Sequence, residues 1–221
     1  MKKIISLAVC FVLGSFVLAG CSDSNDPFAQ KEYAVDGSQI EEIRIDVRDR
    51  QIEVLLSQDE QVHIQYYENG KEYYDILVSD QNVLTMTSIS DKEWTDYIGI
   101  KPSAEDRKIS LQIPNAVLEN LTLSTTNADV ILSALAVTGS ISISSNGGNI
   151  TFGRLDVGNA LSLTVKNGDI SGTVIGSYED FAVQSESKKG QSNLPDNKDS
   201  GEKMLNVSSN NGDVDIEFVS E

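Results

Sequence analysis

Between residues 40 and 87 apolar and polar positions alternate with period two. Ile43-Arg44-Ile45-Asp46-Val47 and Val62-His63-Ile64-Gln65-Tyr66 alternate cleanly, as does Leu84-Thr85-Met86-Thr87, while Ile52-Glu53-Val54-Leu55 and Ile76-Leu77-Val78 add apolar runs. Such segments predict short strands with one buried face. Asn69-Gly70 and the polar runs Ser57-Gln58-Asp59-Glu60 and Ser79-Asp80-Gln81-Asn82 supply turns at hairpin spacing. This part is expected to be an antiparallel or mixed β meander. Residues 88–107 are a largely polar excursion holding Trp94 and Tyr97. Strand pattern resumes at Ile109-Ser110-Leu111-Gln112-Ile113 and stops at Pro114, which cannot donate to a ladder.

After Pro114 the chain repeats itself. The segments beginning Leu121-Thr122-Leu123-Ser124, Ile141-Ser142-Ile143-Ser144 and Leu161-Ser162-Leu163-Thr164 start twenty residues apart, and each runs on to Asn127-Ala128-Asp129-Val130, Gly147-Gly148-Asn149-Ile150 or Asn167-Gly168-Asp169-Ile170. A weaker copy begins on schedule at Phe181-Ala182-Val183, and a last one, Leu205-Asn206-Val207-Ser208 to Asn211-Gly212-Asp213-Val214, follows a polar insertion. Leu135, Leu155 and Ile175 keep the same period and are expected to share a column. A fixed period near twenty predicts a solenoid, in which each unit buries its apolar side only by stacking on its neighbours. Asn-Gly-Asp supplies the turn, with a glycine that tolerates positive φ. The fold class expected is therefore all-β, a parallel β-solenoid with coils of about twenty residues preceded by the meander. A plain antiparallel sandwich is the alternative, because Asn-Gly also makes hairpin turns. Interior placement of Leu123, Ile143 and Leu163 in one row decides between them.

The strand ending at Pro114 and the recurrent Ser/Thr-x-Asn-Gly-Asp-Ile/Val units resemble the bacterial "putative adhesin" β-strand repeat family over roughly residues 40–221. That resemblance implies a β-solenoid at the cell envelope, sometimes linked to envelope-stress systems, and brings no catalytic residues. The chain departs from the pattern at Ala128, where glycine is usual, and in the insertion of residues 187–203.

The N-terminus has a different character. Lys2-Lys3 precedes an apolar run from Ile4 to Ala19, then Gly20-Cys21 and the polar Ser22-Asp23-Ser24. A cationic start and a run too short for a comfortable membrane span read as a secretory signal over residues 1–20. Leu18-Ala19-Gly20-Cys21 resembles the bacterial lipobox, which implies a diacylglyceryl thioether on Cys21, cleavage before it, and anchoring to the bacterial membrane on the extracytoplasmic side. Two buried acyl chains hold stably where one is marginal. Residues 21–37 then serve as a flexible tether and residues 38–221 as the β-repeat domain. Cys10 leaves with the signal and Cys21 carries lipid, so no disulfide remains to staple the mature chain.

Charge narrows the partners. Thirty-four acidic residues against seventeen basic ones give a net charge of −17. Nucleic acid is excluded as a partner, since polyanions reward Lys and Arg. One histidine and no phosphate loop or nucleophile elbow argue against an enzyme, and no cofactor is implied. Asp129, Asn149, Asp169 and Asp213 share one turn column. Stacked oxygen ligands suit calcium, making Asp129, Asp169 and Asp213 weak metal candidates, but the neutral Asn149 between carboxylates reads as relief of like-charge repulsion. Trp94 and Tyr97 are candidate ligand contacts, a stacking platform for sugar rings. His63 falls on the outward phase of its strand and reads as a surface residue. The insertion, with Pro195, Gly190 and Gly201, reads as a solvated, disordered loop. The acids in Val214-Asp215-Ile216-Glu217-Phe218 would discourage pairing at an open edge, so the acyl-free domain is expected to be a monomer. The function these features imply is a lipid-anchored, non-enzymatic binding or scaffold protein with an unidentified envelope partner. A sensory lipoprotein of envelope stress and, less favoured, a polysaccharide-active enzyme are the alternatives.

Overall fold

The computed structural model describes residues 27–93, 102–115 and 118–220. These residues hold strands β1 (Ala29–Asp36), β2 (Glu42–Asp46), β3 (Gln51–Leu56), β4 (Gln61–Glu68), β5 (Glu72–Val78), β6 (Val83–Ser90), β7 (Lys108–Ile113), β8 (Asn120–Thr125) and β9 (Val130–Leu132). They continue with β10 (Leu135–Val137), β11 (Ser140–Ser145), β12 (Ile150–Val157), β13 (Ala160–Asn167), β14 (Ile170–Ile175), β15 (Phe181–Ser187), β16 (Asn197–Lys198), β17 (Lys203–Asn211) and β18 (Val214–Val219). The only helical turns among the described residues are three-residue 3-10 segments.

Two nine-stranded sheets face one another. The first runs β1-β4-β7-β3-β9-β12-β14-β18, with β10 beside β12; the second runs β16-β15-β17-β13-β11-β8-β2-β6-β5. The chain passes from the second sheet to the first and back, as in β11 to β12 and β13 to β14. The core strands pair in parallel, in a register that places Ile143 opposite both Leu123 and Leu163 and continues to Ile45 on one side and Val207 on the other. All five are buried. A second row joins Ile52, Val130, Ile150, Ile170 and Val214 across the first sheet. Each such side chain contributes about 1.5–3 kcal/mol on burial, so the rows are what hold a disulfide-free stack together. Parallel pairing through the core also excludes the antiparallel sandwich.

The order of stacking departs from the order in the chain at both ends. β2 and β3 belong to the stack itself, each flanked by a later strand on either side, and β6 and β7 form a further rung outside them. The expected preceding meander is thus largely part of the stack; at this end only β1, β4 and β5 pair antiparallel. Period two reports one buried face and says nothing of partner direction, so the segments were legible and their pairing was not. At the other end the copy at Phe181 skips a rung. Gly176, at φ 130°, and the turn Tyr178–Asp180 carry the chain outward, and β17 fills the space between β13 and β15. Asp180 Oδ2 accepts the Ser177 N–H at 2.8 Å and closes this turn.

Three further expectations change. Residues 29–36, expected as part of the flexible tether, form β1 and pair along their whole length with β4. Residue 153 is an extra residue in β12, so Phe152 faces Gly172 while Leu155 faces Val174; the column is Leu135, Leu155 and Val174 rather than Ile175. The insertion is folded. Leu194 is buried, β16 pairs antiparallel with β15, and Lys198 is tied to surrounding carbonyls.

Candidate functional site

The turn column forms a ladder. The Asn149 N–H donates to Asp129 Oδ1 at 2.8 Å, the Asp169 N–H to Asn149 Oδ1 at 2.9 Å, and the Asp213 N–H to Asp169 Oδ1 at 2.8 Å. The Gln191 N–H then donates to Asp213 Oδ1 at 2.8 Å and ends the series. Each side chain thus holds the next coil by its backbone, which explains why Asn can stand among Asp: both offer the same acceptor. Asp129, Asp169 and Asp213 come together as rungs, with one oxygen each already engaged, and among the described residues no group of three acidic, His or Cys side chains is arranged to hold a metal.

Beside the ladder the glycines permit close approach. A Cβ at Gly148 would lie 2.0 Å from the Ala128 carbonyl oxygen, one at Gly168 2.3 Å from that of Gly148, and one at Gly212 2.0 Å from that of Gly168. Gly148 and Gly168 do not have positive φ, so contact between coils, rather than a left-handed turn, demands glycine there. Ala128 tolerates its methyl group because the adjoining rung is a different turn, with Asp49 at φ 53°. Inside the bend sit buried hydroxyls: Ser145 Oγ donates to the Ala128 carbonyl at 3.0 Å and accepts the Gly148 N–H at 3.0 Å.

A groove of about 510 Å³ lies where the insertion meets the second sheet. The polar side chains around it are Thr164, Gln184, Glu186, Asn197, Asn206 and Ser208, with Asp196 at the wall. β13, β17 and β15 set the floor: Thr164 stands opposite Ser208, which stands opposite Glu186, and Asn206 stands opposite Gln184. The Ser185 N–H donates to the Asp196 carbonyl at 3.0 Å and Gln184 pairs with Asn197, so the wall is fastened to the sheet. Asn206 reaches Ser162 at 3.4 Å and Asn197 reaches Asp199 at 2.7 Å. Among the described residues the side chains of Thr164, Gln184, Asp196 and Ser208 hydrogen-bond to nothing else in the protein, which leaves their donors and acceptors for a ligand. No basic side chain lines the groove. Sequence reasoning missed Asp196 and Asn197 by treating the insertion as solvated; Gln184, Asn206 and Ser208, outward positions of the last two repeats, were the available signal.

The remaining candidates do not converge on this groove. Cys21, Trp94 and Tyr97 lie outside the described residues. His63 bridges two carboxylates at the other end: Nε2 is 3.0 Å from Asp59 Oδ1 and Nδ1 is 3.3 Å from Glu32 Oε1. Hydrogen bonds from Gln61, His63 and Ser57 hold the Asp59 carboxyl below its ordinary range. The Ser57 hydroxyl in this group donates to Asp59 Oδ1 at 2.9 Å rather than to the His63 ring. Nearby, the buried Glu72 carboxylate pairs with Arg50 and Lys92, and Arg50 Nε donates to Tyr74 Oη at 2.7 Å. An ion pair this enclosed fixes geometry more than it adds stability; here it pins β5 to the turn between β2 and β3.

Two stacked, largely parallel sheets with stacked turns define an all-β, β-solenoid-like domain. The Toastrack DUF4097 family matches residues 40–219, and the chain belongs to that family. A "putative cell adhesion protein" from Clostridium sporogenes has a similar fold, with a TM-score of 0.61 at 10% identity over 87% of this chain and 100% of that one. "Putative adhesins" from Bacteroides fragilis (13% identity, TM-score 0.37, 88% of this chain and 98% of that one) and Parabacteroides merdae (16%, 0.37, 87% and 79%) are more distant in shape. No curated protein matches the sequence.

Proposed function

We propose that the mature chain is a non-enzymatic binding or scaffold module, carried outside the cytoplasm on a lipid attached to Cys21, with its partner seated in the groove beside Gln184 and Asp196. In this reading the whole domain is a parallel β-solenoid with coils of about twenty residues, rigid because each rung is pinned by core rows and by the turn ladder. The observation that carries the proposal is a polar groove whose Thr164, Gln184, Asp196 and Ser208 side chains are left without internal partners. Sites of this kind orient a ligand by convergent polar groups on a rigid scaffold. Carboxamides and hydroxyls both donate and accept, and among the described residues no hydroxyl lining the groove is hydrogen-bonded to a carboxylate or a histidine. The adhesion name carried by the Clostridium sporogenes protein agrees with a binding role.

Capture by the chain from Ser22 onward tests it. Immobilised protein is exposed to envelope extract, with and without calcium, beside a Gln184→Ala/Asp196→Ala variant. A component retained by the parent chain and lost by the variant is the expected result; equal retention by both places the partner elsewhere. Fractionation of cells carrying Cys21→Ala tests the anchor, which fails if the variant stays with membranes.

A further inference from the structure

β18 is the last strand of the first sheet. In a parallel ladder alternate residues turn both backbone groups to the same side, and on β18 Val214 and Ile216 turn theirs away from β14. Left bare, these groups would template another strand. They are covered instead by the insertion. The Val214 N–H donates to the Gln191 carbonyl at 2.8 Å, and its own carbonyl accepts the Asn193 N–H at 3.1 Å. At the next exposed position the Asn193 side chain takes over from backbone. Its Oδ1 accepts the Ile216 N–H at 3.1 Å and its Nδ2 donates to the Ile216 carbonyl at 2.9 Å, while also reaching Asp215 Oδ1 at 3.0 Å. A carboxamide is the neutral side-chain group that copies both halves of a peptide, so Asn193 ends the sheet as a strand would while presenting no further edge. The turn ladder ends at the same place, with Gln191 on Asp213.

We propose that residues 188–199 are an edge guard that keeps this domain from stacking end to end on a second copy of itself. The fit of a second copy follows from strand direction. β1 is antiparallel to β4 and β4 to β7, so β1 runs the same way as β7, β3 and β18. β1 is also the outermost strand of the first sheet, pairing only with β4 among the described residues. With the guard lifted, β18 of one copy meets β1 of the next as one more parallel rung. Such a contact is heterologous and does not close, so it builds an open series. Acidic Asp215 and Glu217 oppose a two-fold β18–β18 pairing, which would set like charges across from each other.

The test uses the chain from Ser22 to Glu221, which keeps every described strand. Light scattering on a sizing column, from low to high micromolar, is combined with amide exchange at Ile216 for the parent and Asn193→Ala. The parent is expected to be monomeric with Ile216 protected. The variant is expected to exchange at Ile216 about tenfold faster or more in dilute solution, and to give a ladder of dimers, trimers and longer species as concentration rises. A folded variant that stays monomeric overturns the guard, as does a parent that itself forms the series. A variant that stops at a dimer overturns the head-to-tail geometry. Should Asn193→Ala fail to fold, Asn193→Asp keeps the acceptor for the Ile216 N–H, loses the donor, and is read by the same outcomes.

Discussion

Asp169 Oδ1 accepts the backbone N–H of Asp213 at 2.8 Å across forty-four residues of chain. The same contact, one rung earlier, joins Asn149 to Asp169, so the column tests acceptor and charge separately. Asp169→Ala removes an acceptor and is expected to cost about 1 kcal/mol in urea unfolding. Asn149→Asp keeps the acceptor but sets four carboxylates in succession, at residues 129, 149, 169 and 213 and at about the 4.8 Å spacing of strands. Its cost is expected to be about 0.5–1 kcal/mol at low salt and to shrink as salt rises. A loss that ignores salt would show that Asn149 is not there to separate charges.

Gly148 and the Ala128 carbonyl make a sharper steric test. A methyl group on residue 148 would lie 2.0 Å from that oxygen, which belongs to backbone and cannot rotate away. Gly148→Ala is expected to destabilise by about 1–3 kcal/mol or more, because two coils must part to admit it. Ala128→Gly, at the end of the glycine column, is expected to change stability by less than about 1 kcal/mol. Equal losses at both positions would mean that helical pitch, rather than this contact, sets the requirement.

These contacts show what sequence could and could not carry. The twenty-residue period appears unshifted in the pairing of Leu123, Ile143 and Leu163, because stacking forces equivalent positions into register. What failed was rung order. β15 and β17 carry similar apolar patterns, and nothing in Phe181-Ala182-Val183 says that it will lie beyond Leu205 instead of before it. The deciding features, Gly176 at positive φ and the capped turn after Ser177, are local and weak in sequence. The groove was hidden for a related reason. Lys198 and Asn193 read as loop polarity, while their effect depends on which carbonyls the fold brings to them.

Tyr66 gives a prediction in the alkaline range. Burial, then the Glu68 carboxylate and then Tyr74, push its phenol up to about 12, and its ring meets Tyr74 edge-on at 5.2 Å. A phenol that ionises near 10 in the unfolded chain and near 12 in the fold favours the folded state fully below pH 10 and loses that advantage as pH rises toward 12. Unfolding of the parent should therefore steepen across this window, together with late tyrosinate absorbance. Tyr66→Phe should diminish that late component, leaving the share of Tyr74, whose phenol burial also raises, and should flatten the pH dependence, with some packing cost at every pH. A variant whose alkaline profile parallels the parent would show that Tyr66 titrates like a free phenol.

Lys198 joins the pairing of β16 with β15 in fastening the groove wall. Its Nζ donates to the Ser200 carbonyl at 2.7 Å, the Phe181 carbonyl at 2.8 Å and the Tyr178 carbonyl at 3.3 Å, and it sits 4.9 Å from the centre of the Tyr178 ring. The charge is nearly enclosed, with 14% of the side chain exposed, and it gathers both ends of the excursion onto β15. Lys198→Met keeps the stem and leaves these carbonyls without their donor, at an expected cost of about 2–3 kcal/mol. The stack beneath has its own core, so the loss should be local. Amide exchange is expected to accelerate through residues 178–202 while the strands carrying Ile143 and Leu163 remain protected, and capture by the groove should weaken with it, since Asp196 and Asn197 hang from this anchor. Global unfolding in step with the cap would mean that the insertion is a full rung of the stack; unchanged exchange in residues 178–202 would mean that the carbonyls need no cation to hold their places.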